Sequence, residues 1–147
     1  MTYTLSTSTS FLLYCLHMKQ GYITNIEEAT INNTDYRRVL YTAEHMQLVV
    51  MHLEPGDEIG AETHELGQFI RVEAGTAKVV LNGSDEHTLE HDHAVVIPAG
   101  LLHNVINIGD EPLKLYSIYA PPEHKDGLVQ PTKADDAEVH FDGETTE

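Results

Sequence analysis

Val, Ile, Leu, Thr and Tyr recur along this chain in short runs bounded by turn residues, and nowhere in sustained helical heptads. Such runs occupy residues 36–42, 46–53, 59–64, 68–74, 76–81, 88–90, 94–97, 103–108 and 113–119, and each is expected to be a strand. The punctuation between them is strong. Glu54-Pro55-Gly56-Asp57, Pro98-Ala99-Gly100 and Gly109-Asp110-Glu111-Pro112 supply fixed and flexible backbone positions, and Asn82-Gly83 is the sharpest hairpin signal. A short helical turn is expected at Ile26-Glu27-Glu28-Ala29, broken by Asn32-Asn33-Thr34-Asp35. Strands following one another with no helical interlude predict an all-β sandwich or closed barrel.

The chain's 147 residues suffice for one well-buried core and not for two. Residues 18–121 are read as the domain, because Pro121-Pro122 ends the last strand. Residues 1–17 hold a Thr/Ser-rich run and then the patch Phe11-Leu12-Leu13-Tyr14-Cys15-Leu16, which lacks a basic flank and is too short for a secretory signal or a membrane span. They are expected to be a leader or upstream-start extension that the domain does not need. Residues 122–147 are acidic and poor in apolar side chains, and are expected to wrap the surface as an irregular tail.

Charge narrows the partners. Eight basic against twenty-four acidic residues give a formal charge of −16, which repels phosphate backbones and anionic lipid headgroups. Nucleic acid and membrane are therefore not expected as partners. The single cysteine, Cys15, excludes an intramolecular disulfide and a Cys-based zinc framework, and is compatible with a reducing, cytoplasmic location.

The chemistry concentrates in two segments. Side chains alternate faces along an extended chain, so Glu62 and His64 point the same way and can grip one ion. Gln68 begins the next run and can face the same interior. Far downstream, His103 follows the turn Pro98-Ala99-Gly100. Glu62, His64, Gln68 and His103 are the candidate metal ligands: two oxygen donors and two imidazoles, a set suited to a mononuclear divalent site with room for water. Asn107, on the face of His103, is expected to satisfy a local turn or backbone group, and Arg71 to point outward into a surface ion pair. Tyr116 and Tyr119 have opposite parity, so at most one lines the pocket. The His-rich acidic stretch 85–93 is read as a solvated edge rather than a second metal site.

These two segments resemble the paired motifs of the cupin superfamily, specifically its compact bacterial, sugar-isomerase-like members. Gly56, His64 and Gly75 match the first motif at its spacing, and Pro98, Gly100, His103 and Asn107 match the second. Glu62 stands where a histidine is usual, Gln68 where a glutamate is usual, and Asp92 where the second motif opens with glycine. The likeness covers residues 39–121 and implies a double-stranded β-helix, or jelly-roll cupin barrel, usually a homodimer, holding Mn, Fe, Zn or Ni. It leaves the reaction open. The leading expectation is a metal-dependent isomerase or lyase acting on a small polar carbonyl compound such as a sugar or sugar acid, since no nucleophilic Ser or Cys constellation is visible. An Fe(II) dioxygenase using Glu62, His64 and His103 is one alternative. A non-catalytic barrel that captures a small molecule is the other.

Overall fold

A computed structural model describes residues 19–137 and 139–147. The expected leader, residues 1–17, lies outside the described residues. The first element among the described residues is α1 (Ile26–Asn32), which extends the expected helical turn. The Asn25 side chain accepts from the Glu28 N–H at 3.2 Å, satisfying one of the free donors of the first turn. Nine strands follow: β1 (Arg37–Thr42), β2 (Gln47–Leu53), β3 (Gly67–Ala74), β4 (Ala77–Leu81), β5 (Asp85–Leu89), β6 (Ala94–Ile97), β7 (His103–Asn107), β8 (Leu113–Ala120) and β9 (Val129–Gln130). A 3-10 turn at Lys133–Asp135 closes the series.

The strands form two antiparallel sheets, one ordered β6-β3-β8-β2-β1-β9 and the other β5-β4-β7, packed as the double-stranded β-helix that the sequence predicts. Register sets what faces inward. Met51 pairs with Leu115 and Leu115 with Val72, while Leu53 pairs with Leu113, so one row after another delivers apolar side chains to the core. Val79 pairs with Val105 from the facing sheet, and all of these are buried. Burying such side chains at roughly 1.5–3 kcal/mol each is the main stabilising term.

The same register turns polar at one end. Gln47 pairs with Tyr119, Tyr119 with Gln68, and Gln68 with Ile97. Gln47 and Gln68 are buried and lie on the parity of the core residues, so this end of the barrel carries hydrogen-bonding chemistry.

Three local expectations change. Residues 59–64 are not a ladder strand: the segment touches β7 through the isolated bridge Glu62 to His103, with a second, Glu58 to Ile106, just before it. The reason is Gly60, whose φ of 107° breaks the extended run while its N–H donates to Asn104 Oδ1 at 2.9 Å. Strand β5 starts earlier than the apolar pattern suggests, because Asn82 and Gly83, both at positive φ, fold the chain straight back and pair Leu81 with Asp85. Residues 122–147 wrap the barrel and also add structure to it. Within them, β9 pairs with β1, and His124 bridges to His140.

Candidate metal centre

The segment carrying Glu62 and His64 is irregular, yet firmly placed. Ile59 N–H donates to Val105 O at 2.9 Å, Glu62 N–H to His103 O at 2.9 Å, His103 N–H to Glu62 O at 3.0 Å, and Gly100 N–H to His64 O at 2.7 Å. The reciprocal pair sets Glu62 and His103 opposite each other, and His64, two residues on, returns to the same side. The two rings lie 5.4 Å apart, centroid to centroid. One ligand atom each from Glu62, His64 and His103 falls within 4.8 Å of the others.

Glu62 Oε1 is 3.1 Å from His64 Nε2 and 3.4 Å from His103 Nε2. These are ion-pair distances without hydrogen-bond alignment: both Nε2 atoms are buried and have no hydrogen-bond partner among the described residues. His103 Nδ1 sits 2.8 Å from the Leu101 carbonyl, an acceptor only, so Nδ1 carries the proton and Nε2 keeps its lone pair. Burial pushes the Glu62 carboxyl up, but the His103 and His64 imidazoles beside it outweigh burial and hold it down at about 2. Glu62 raises His64 in turn, against the opposing effect of burial. The pocket therefore presents an ionised carboxylate and two buried imidazole Nε2 atoms without hydrogen-bond partners among the described residues, a donor set that fits a first-row divalent ion.

Gln68 lies on the barrel's polar end, and its Nε2 donates to Ser117 Oγ at 3.3 Å. Its Oε1 is buried with no hydrogen-bond partner among the described residues. The amide is thus oriented with its oxygen available, as a ligand or as an acceptor for a bound water would need.

The remaining expectations resolve through contacts. Tyr119 is the tyrosine that lines the interior, edge-on to His64 at 6.0 Å and to His124 at 5.0 Å, whereas Tyr116 packs against Phe69. Asn107 donates to Leu53 O at 3.0 Å and Glu111 O at 2.9 Å, and accepts from Gly109 N–H at 3.0 Å, tying the turn to the barrel. Arg71 pairs with Asp92 at 2.5 Å. Asp92 itself has φ 70°, which is why glycine is usual there.

A cavity of about 380 Å³ opens beside the centre, with Arg37, Glu62, His64, Glu123, His124 and His140 in its wall. Four of these were not anticipated. Arg37 begins β1, where its guanidinium is held by Asp136 at 2.6 Å and Gln130 at 2.7 Å. Glu123 Oε1 stands 3.1 Å from His140 Nδ1 and 3.7 Å from His64 Nδ1. His124 is buried and neutral: burial first, then the Arg37 charge, pulls its imidazole down to about 3. The motifs end at Asn107, so the only signal for this wall was the presence of histidines in an otherwise acidic terminal stretch.

Comparison with known proteins agrees with the motif reading. The family profile described as "Cupin domain" matches residues 49–119. The uncharacterized protein YrkC of Bacillus subtilis is 46% identical over 120 residues, 78% of this chain, and the chain spans 64% of YrkC's length. The crystal structure of BH2720 from Bacillus halodurans is 44% identical with a TM-score of 0.78, covering 81% of this chain and 95% of that one. A double-stranded β-helix protein from Klebsiella pneumoniae is 27% identical with a TM-score of 0.59, covering 69% and 91%. Motifs, barrel register and these likenesses converge, and the chain belongs to the cupin family.

Proposed function

We propose that the protein is a metal-dependent enzyme of the isomerase or lyase type, acting on a small polar carbonyl compound such as a sugar or sugar acid. The observation that carries the reading is the pair of buried imidazole Nε2 atoms, without hydrogen bonds among the described residues, facing the Glu62 carboxylate at the edge of a polar cavity. Glu62, His64 and His103 would hold the ion, with Gln68 Oε1 as a conditional fourth donor. A bound Mn, Fe, Zn or Ni ion would supply Lewis acidity to a substrate carbonyl.

The chain's own groups do the rest. Arg37 and His124 bring N–H donors to the cavity wall, and Glu123 brings an acceptor, a mixture suited to a polyhydroxylated molecule. Pro121, Glu123 and His140 line a second hollow beside His64. Glu123 Oε1, between two imidazoles, is the group placed to accept a proton at the wall.

A second reading, an Fe(II) dioxygenase, is favoured by one feature: the three-residue cluster is two histidines and one carboxylate. The test is demetallated protein reloaded with each of the four metals and screened by NMR against aldoses, ketoses and uronates. Metal-dependent turnover that H103A removes is the expected result. Absence of turnover under any metal overturns the isomerase or lyase reading, and dioxygen consumption confined to the Fe(II) form selects the alternative.

A further inference from the structure

The outward side of β3 carries a second cluster that the barrel site does not use. Glu73 is a carboxylate with a side chain only 1% exposed, and neither of its oxygens has a hydrogen-bond partner among the described residues. Arg71 Nε approaches Oε1 at 3.2 Å, but that nitrogen also makes no hydrogen bond, and the guanidinium is engaged by Asp92 through its other arm at 2.5 Å. His91 Nε2 stands 3.9 Å from Glu73 Oε2, beyond hydrogen-bond reach. It also lies 3.6 Å from Asp92 Oδ1. Glu27, from α1, completes a group whose ligand atoms, one per residue, all lie within 4.8 Å of one another.

A desolvated carboxylate without hydrogen bonds is costly unless a cation compensates it. One guanidinium, misaligned and shared with Asp92, compensates it incompletely, while Glu27 adds a further negative charge. We infer that Glu27, Glu73 and His91 form a second divalent-cation site, outside the barrel, that fastens α1 and the turn before β6 to β3. Two carboxylates and one imidazole suit Zn, Mn or Co, with water completing the shell; an all-oxygen cation such as Ca would leave the imidazole unused. The inference is independent of the barrel centre.

The experiment is Zn²⁺ calorimetry and Co²⁺ absorption titration on the full chain, purified without a His-tag and stripped with EDTA. Wild type is expected to take up two ions, H91A one, the H64A/H103A variant one, and the triple variant none. E27Q is expected to weaken the outer site at least tenfold. His91 and Glu27 are exposed, so neither substitution threatens the fold; should H64A/H103A fail to fold, the wild-type and H91A stoichiometries give the same answer. If the barrel reading alone is wrong, wild type binds one ion, which H91A removes and H64A/H103A does not. Unchanged stoichiometry and affinity in H91A overturns the site, and an unchanged E27Q overturns its three-residue composition.

Discussion

Replacing His124 by leucine will flatten the acid side of this protein's stability profile. His124 is buried at the cavity wall, and burial, followed by the nearby Arg37 charge, sets its folded pKa at about 3 against 6.5 for a free imidazole. Between those values the unfolded chain binds a proton that the folded chain excludes. The unfolded state then holds more protons, so stability rises with pH: His124's contribution is complete above the unfolded value and is lost as pH falls toward the folded one. From pH 7 to pH 5 the unfolded imidazole becomes almost fully protonated while the buried one stays neutral. About 1.5 pH units at about 1.4 kcal/mol each makes this a loss of about 2 kcal/mol. His64 works in the opposite direction, because Glu62 raises it and its contribution grows as pH falls, but it is common to both proteins. Leucine keeps similar volume, and the hydrogen bonds of the His124 N–H and carbonyl to the Gln47 side chain involve backbone and survive. Urea unfolding of EDTA-treated wild type and H124L at pH 7 and pH 5 reads the difference. Wild type should lose about 2 kcal/mol more than H124L over that interval. Equal losses, with unchanged m values, would refute the reasoning.

Two further perturbations probe how the site is held. Gly75 has φ 86°, and a Cβ there would lie 2.7 Å from Pro112 O and 2.9 Å from Leu113 Cα, both backbone atoms. Gly75→Ala should therefore cost about 2–4 kcal/mol, seen as a lower urea midpoint. Asn107→Ala removes three hydrogen bonds and strands the Leu53 and Glu111 carbonyls. A loss of about 2–4 kcal/mol in chemical denaturation is expected, and a change under 0.5 kcal/mol would show that water replaces the amide.

Much of the architecture was legible because local chemistry and global fold agree. The Asn82-Gly83 pair needs two positive φ angles, and the hairpin uses both. The motif glycines Gly56, Gly75 and Gly100 all adopt positive φ, and Asp92 does so in place of the usual glycine. Residues 59–64 misled because their apolar content resembles a strand, whereas Gly60 turns the chain and hydrogen-bonds to Asn104 instead of a ladder. Residues 85–87 were missed as strand because an exposed edge strand can be polar on both faces.

The sequence by itself determined an all-β chain, its turns, and the shared side of Glu62 and His64, because period-two alternation and backbone-restricted residues are local properties. It also assigned Asn107 its turn. Only tertiary structure decided that Tyr119 rather than Tyr116 meets His64, since parity separates the two without naming the inner face. It alone brought Arg37 from the first strand against Asp136, and Glu123, His124 and His140 from the acidic terminal stretch to the cavity. It also set the exposed His91 beside Glu73 and Glu27. Contacts between residues tens of positions apart depend on strand order and sheet closure, and no local pattern of side chains encodes them.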